Sequence, residues 1–197
     1  MFFVYYIIDM IAIFRHGETI ANKEGYLQGW TDSPLTDLGI EQATKTADHF
    51  FDNHPWSDLL NYHLYSSTSG RSVDSAKPLV DRIPFITMTT ADSLKERNYG
   101  DMEKRKIKTF ASSYNQSFIN GESLADVYER VSLFLDRNQV RQDDPTKLVV
   151  FHVHGNVSKI LRGILLRIPS SIWLEWEHDF LCYYVIQGNH CQEIKCE

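Results

Sequence analysis

Positive charge is in short supply in this sequence of 197 residues: 20 lysines and arginines face 26 acidic residues, for a net charge of −6. Such a chain has no broad field to offer nucleic acid or an anionic membrane, so an anionic ligand must be caught by a local cluster of cations. Cysteine is scarce too. Cys182, Cys191 and Cys196 crowd into the last sixteen residues, and an odd count without metal-ligand spacing fits reduced thiols in a cytoplasmic protein, with one disulfide as the lesser alternative. The apolar opening "MFFVYYIID" lacks the basic residue and small-residue cleavage site of a secretory leader, and is too short to span a bilayer. It runs straight into the first strand, so residues 1–9 are either an extension upstream of a start at Met10 or a lengthening of that strand. There is no repeat, no low-complexity tract and no linker, and 43% of the chain is hydrophobic, which predicts one compact domain over residues 1–197.

Strand-like runs rich in β-branched and aromatic residues occur at Met10–Phe14, near His63–Ser66, at Lys147–Val153 and at Phe180–Gln187, with a weaker one at Phe85–Met88. Helical periodicity fills the intervals. After a start signal at Thr36 and Asp37, the residues Leu35, Leu38, Ala43, Ala47 and Phe50 fall on one predicted buried face. Ser123 caps a helix whose apolar stripe is Leu124, Val127, Val131, Phe134 and Leu135. A third helix follows the strand Lys147–Val153 at once, buries Ile160, Leu161, Ile164 and Leu165, and stops before Pro169. Strands alternating with helices predict an α/β domain. Between Thr89 and Gly121 the pattern weakens, with one short helix expected around Lys104–Ala111, and the stretch of about 89–122 is a candidate lid-like insertion.

In open α/β sheets, ligands sit outside the carboxyl ends of the strands. Three such ends carry unusual chemistry here. "MIAIFRHGET" leaves its strand on Arg15, His16 and Gly17; "SSTSGRSVDSA" sets Arg71 at a helix opening; "HVHGNV" supplies His154, Gly155 and Asn156. A guanidinium beside an imidazole at a strand end is costly unless something anionic meets it. Two arginines can grip phosphate oxygens with charge-assisted hydrogen bonds, and helix N-termini add backbone amides. A neutral imidazole in such a pocket is a nucleophile toward phosphorus, kept unprotonated by the neighbouring positive charge. Gly17 and Gly155, lacking Cβ, would let the backbone come close to the phosphoryl group. His49, His54, His63, His178 and His190 read as surface or helix-end residues, with His178 a candidate to approach the mouth of the site. Trp30, Trp56, Trp173 and Trp176 read as packing.

Taken in order, "FRHGET", Asn22, "YLQGWTDSPLTDLGIEQA", "YSSTSGRS", "LKERNYGDMEK", "NGES" and "HVHGNV" resemble the histidine phosphatase superfamily, which includes the cofactor-dependent phosphoglycerate mutases; the match runs from Met10 to about Leu166. The resemblance implies a three-layer, phosphoglycerate mutase-like sandwich in which helices flank a mixed, mostly parallel sheet. It also implies double-displacement chemistry with no metal and no cofactor. His16 would take the phosphoryl group, held by Arg15, Arg71, His154 and Asn22, with His154 among the catalytic groups and Gln28, Gly29 and Gly155 as further substrate-binding positions. Glu96, from "LKER", would protonate the leaving oxygen and then deprotonate water. Glu103 is the alternative for that role.

Three positions depart from the family pattern: Asp74, acidic near the pocket; His152, where an apolar strand residue is usual; and Lys104, where a glycine commonly follows Glu103. They bear on substrate choice more than on catalysis. The chain is short where mutases carry the insertion that keeps water from the phosphoenzyme, so hydrolysis of a small phosphomonoester is expected over phosphoryl transfer of the phosphoglycerate mutase type. The basic "EKRKIK" stretch fits a second negative group on a phosphorylated sugar, sugar acid or nucleoside, or else a solvated helix face. Two other classes stay open: a non-catalytic relative that binds phosphorylated ligands, and a metal-dependent hydrolase using His152 and His154 on one strand face. The expected partner is a small phosphorylated metabolite, with no nucleic acid and no membrane, in an oligomeric state left open.

Overall fold

A computed structural model of the chain describes residues 10–54, 61–83, 86–106, 114–140 and 147–196. Residues 1–9, Trp56, Phe85 and residues 107–113 of the lid-like stretch lie outside the described residues. Strands β1 (Met10–Arg15), β2 (Asn61–Ser67), β3 (Thr87–Ala91), β4 (Lys147–Val153), β5 (Cys182–Gln187) and β6 (His190–Lys195) form one sheet in the order β3-β2-β4-β1-β5-β6. The first four in that order run parallel, β5 is antiparallel to β1, and β6 is antiparallel to β5. The mixed, mostly parallel sheet is as expected.

Both faces of the central strands are apolar, which is what a sheet covered on two sides requires. Met10, Ala12 and Phe14 of β1, with Leu148 and Val150 of β4, pack on Ala47 and Phe50 of α2 (Asp37–Asn53) and on Ala76 and Leu79 of α3 (Gly70–Arg82). Ile11, Ile13, Val149, Phe151 and Val153 pack the other way, on the stripe of α4 (Leu124–Arg137) and on Val157, Ile160 and Leu161 of α5 (Gly155–Leu165). The α4 stripe is the predicted one, behind a Ser123–Asp126 capping box. Two short helices, α1 (Ile20–Glu24) and α6 (Ser170–Trp173), complete the α-helices of the described residues.

Three local expectations are corrected, and one strand was not foreseen. Leu38 is 48% exposed, because Gly39 takes the inward position of the first turn of α2. The weak strand expected from Phe85 begins at Thr87 and continues to Ala91. Lys104–Lys106 are not helical: Lys104 has φ +61°, and Lys106 bridges Tyr26. Strand β6 escapes sequence patterning because this edge strand is exposed almost throughout and needs no apolar alternation.

Candidate active site

The carboxyl ends of β1, β2 and β4 lie side by side, so three separate segments deliver their terminal residues to one place. His16 follows β1 and is tied to β4 by its amide, which donates to the Val153 carbonyl at 3.1 Å. Its Nδ1 sits 2.8 Å from the Gly17 carbonyl. A carbonyl only accepts, so Nδ1 carries the proton and Nε2 keeps the lone pair. Burial pushes the His16 pKa well below its ordinary value, and the charges of Arg71 and Arg15 push it further. Burial outranks the neighbouring charges as the cause, and both keep the ring neutral. His154 stands across from His16, ring centroids 5.1 Å apart, with its own pKa well depressed by the same causes.

Arg71 opens α3 and is almost wholly buried. Its Nη1 donates to the Thr31 carbonyl and to Asp32 Oδ1, each at 3.0 Å, and its Nη2 to the Gly29 carbonyl at 2.8 Å. Of the five guanidinium N–H groups, this leaves the Nε–H and a second Nη2–H. Arg15 stacks on Phe180, with Cζ 4.2 Å from the ring centre, and its Nη1 donates to the His178 carbonyl. Arg15 Nε, Arg71 Nε and both ring nitrogens of His154 are buried with no hydrogen-bond partner among the described residues. Polar groups buried without partners cost about 1–3 kcal/mol each. Such a set around one imidazole is matched by a ligand that offers several acceptor oxygens.

The two candidate glutamates have different surroundings. Glu103 accepts amide N–H bonds from Trp30 (2.8 Å), Thr31 (2.7 Å) and Tyr99 (3.2 Å), so its carboxylate staples the 28–31 loop. Gly29 is left-handed there, and a Cβ on it would fall 2.2 Å from Glu103 Oε1. Glu96 lies by the pocket instead: Oε1 accepts from its own neighbour Arg97 N (2.8 Å), and Oε2 accepts from Asn156 N (3.2 Å) in the first turn of α5. A Cβ placed on Gly155 would stand 3.8 Å from Glu96 Oε2 and 3.9 Å from the Arg15 guanidinium carbon, which locates both groups at the same wall. Asn156 Nδ2 meets Tyr99 Oη at 2.8 Å beside them.

A model of the histidine phosphatase superfamily, branch 1, matches residues 11–195. The chain belongs to that superfamily. Among curated relatives, it is 32% identical over 172 residues to the probable phosphoglycerate mutase GpmB of Yersinia pestis, covering 81% of this chain and 76% of that one. It is 28% identical over 154 residues to a probable phosphatase of Schizosaccharomyces pombe, covering 77% and 71%. Among solved structures, a mycobacterial glucosyl-3-phosphoglycerate phosphatase superposes with a TM-score of 0.77 at 23% identity, covering 95% and 96%. The α-ribazole phosphatase of Shigella flexneri gives 0.75 at 22%, covering 95% of each chain. At those identities the superpositions speak for the phosphoglycerate mutase-like fold.

In this histidine phosphatase relative, several residues make contacts that their sequence reading did not include. Gly17 serves packing: a Cβ on it would lie 2.1 Å from the Gly39 carbonyl, so the turn after β1 rests directly on α2. Asn22 closes the capping box of the Ile20–Glu24 helix, its Oδ1 accepting from Thr19 N and Oγ1. Gln28 is buried with its Oε1 unpartnered among the described residues, and it lines a cleft of about 390 Å³ with Tyr26, Thr31, Asp32 and Lys104. Asp74, expected near the pocket, faces solvent and pairs with Lys77 at 2.7 Å instead. The carboxylate beside Arg71 is Asp32, which sequence reasoning missed: besides Arg71, it accepts from Gly70 N and so caps α3, whose own N-cap Ser69 makes no side-chain capping bond. The His178 ring turns inward between Ser158 Oγ (2.6 Å) and the Cys182 carbonyl (3.1 Å), and only its backbone reaches Arg15. His152 faces the α2–α3 layer, stacked on Phe14 with ring centroids 6.0 Å apart and next to Ser72. Among the described residues, no three His, Cys, Asp or Glu side chains converge as metal ligands, and no helix is long and apolar enough to cross a membrane.

Proposed function

We propose that the chain hydrolyses a small phosphomonoester through a phosphohistidine at His16. One observation carries this reading: the Nε–H groups of Arg15 and Arg71 and both ring nitrogens of His154, all buried and without a partner among the described residues, lie about a neutral imidazole whose Nε2 holds the lone pair. In the first half-reaction the Nε2 lone pair forms the N–P bond while the ester P–O bond breaks, and the Glu96 carboxyl gives its proton to the departing oxygen. In the second half, water attacks phosphorus, its proton returns to Glu96, and the N–P bond breaks to release phosphate and neutral His16. The arginines offset the charge on the equatorial oxygens throughout.

Lys104 supports a substrate with a second anionic group. Its left-handed backbone costs roughly 1–2 kcal/mol for a residue with a Cβ, which explains the glycine common at this place in the family. Its side chain lines the cleft beside Gln28.

The test is turnover of p-nitrophenyl phosphate in EDTA, with mass spectrometry of the alkali-quenched enzyme. Wild type should turn over and carry phosphate on His16, and His16→Ala should lose at least about three orders of magnitude in rate. An inactive wild type, or undiminished turnover in the variant, refutes the reading. The GpmB likeness favours a second reading, mutase activity, and isomerisation of a phosphoglycerate faster than its hydrolysis would establish that one instead.

A further inference from the structure

The segment that carries Glu96 has little regular structure of its own, only a short 3₁₀ turn at Asp92–Leu94, yet it is held at several backbone points by one ion pair, between Arg130 of α4 and Glu122 just before that helix. Arg130 donates from Nη1 to the Ser93 carbonyl (2.8 Å) and from Nη2 to the Glu96 carbonyl (3.0 Å). The same guanidinium grips Glu122 by two bonds, Nε to Oε1 at 2.8 Å and Nη2 to Oε2 at 3.0 Å. Glu122 in turn closes on the far side of Glu96. Its Oε2 accepts from Asn98 N (2.8 Å), its own amide donates to the Asn98 carbonyl (2.8 Å), and its carbonyl accepts from Arg97 Nε (2.8 Å). Both members of the pair are only 18% exposed at the side chain, so solvent screens the contact weakly.

Arg130 sits on the helix face beside Val127 and Val131, which are fully buried in the core. The pair therefore references the Glu96 backbone to the rigid part of the fold. Among the described residues, Glu96's own carboxylate is fixed by two amide hydrogen bonds, one of them to the adjoining residue. A carboxyl group that transfers a proton must stay within hydrogen-bond reach of the oxygen it serves.

We propose that Arg130 is a positioning residue for proton transfer: locked by Glu122, it holds the backbone of residues 93–98 so that the Glu96 carboxyl meets the leaving oxygen. The inference rests on the phosphatase reading above and adds to it a residue that touches neither phosphate nor nucleophile.

The experiment compares kcat/KM for p-nitrophenyl phosphate, whose leaving group departs with little protonation, with kcat/KM for an alkyl phosphate, which needs the acid. Glu96→Gln fixes the signature, a loss concentrated on the alkyl ester. Arg130→Lys, which keeps the charge but cannot bond both carbonyls and both Glu122 oxygens, should show the same asymmetry, with about a tenfold larger loss on the alkyl ester. Glu122→Gln should show it more weakly, and methylguanidine should restore the alkyl ester rate of Arg130→Ala. Equal losses on both esters in folded variants would make the pair merely structural and overturn the proposal, whereas symmetric losses in Glu96→Gln itself would overturn the assignment of the acid. A crystal structure of Arg130→Lys decides the matter independently of turnover: Glu96 Oε2 should leave Asn156 N, and an unmoved carboxylate would sink the idea.

Discussion

The neighbouring glutamates offer the sharpest separation of structure from chemistry, because the same isosteric change should break different things at each. In Glu103→Gln, Oε1 can still accept from Trp30 and Tyr99, but the new amide nitrogen faces the Thr31 N–H, donor against donor. Hydrogen bonds to a charged acceptor contribute about 1.5–3 kcal/mol when buried. The loop is half-exposed, so a net loss near 2 kcal/mol is reasonable, a fall of roughly 4–8 °C in Tm for a chain of this size. The relaxed loop carries the Gly29 and Thr31 carbonyls that hold Arg71, so KM should rise several-fold while the leaving-group dependence stays that of wild type. In Glu96→Gln, Oε1 still accepts from Arg97 N and the amide nitrogen faces only the longer Asn156 N–H contact at 3.2 Å, so Tm should fall by less than in Glu103→Gln. The rate on an alkyl phosphate should drop by about 10²–10⁴. Thermal melts and steady-state kinetics of both variants suffice. If Glu103→Gln melts like wild type yet loses the alkyl ester reaction, while Glu96→Gln keeps it, the assignment of roles is reversed and the reasoning fails.

Two further outcomes follow from the buried groups. Gly39→Ala places a methyl 2.0 Å from the Glu18 carbonyl, where only backbone can yield; a loss of about 3 kcal/mol or more is expected, and an unchanged melting temperature would refute the packing argument. Burial depresses the pKa of His16, His152 and His154 in the folded state, that of His152 to about 3. Unfolded imidazoles take up protons below about pH 6.5 while these folded ones do not, so stability is full above that pH and falls on acidification, at about 1.4 kcal/mol per pH unit for each histidine. Urea titrations between pH 7 and pH 5 should show the decline, with a shallower slope in His152→Leu; midpoints independent of pH would contradict it.

The fold was legible wherever one physical signal dominated. The α4 stripe and its Ser123 cap, and the apolar β1 and β4, owe their patterns to burial, and burial is written in local sequence. Strand β6 was not legible, since an exposed edge imposes no pattern. Leu38 was misplaced because hydrophobicity ranked above Gly39, whose inward position is decided by the backbone of Glu18 rather than by its own chemistry. At the site, residues that follow strand ends could be named from position and type alone, and the structure sets Arg15, His16, Arg71 and His154 around one point. What sequence could not supply was pairing across distance. Asp74 was expected near the pocket, three residues from Arg71, yet the carboxylate that reaches the guanidinium is Asp32, thirty-nine residues away. Glu96 and Glu103 were indistinguishable as letters and differ only in which amides reach them.

Arg71 is held by three acceptors before any substrate arrives: two carbonyls and the Asp32 carboxylate. A lysine ammonium has three donors in all; engaged by those same groups, it would have nothing left to offer an oxyanion. Basicity alone is therefore the wrong criterion at this position. The property required there is surplus valence, more hydrogen-bonding directions than the protein itself consumes, and of the twenty side chains only guanidinium combines that surplus with permanent charge.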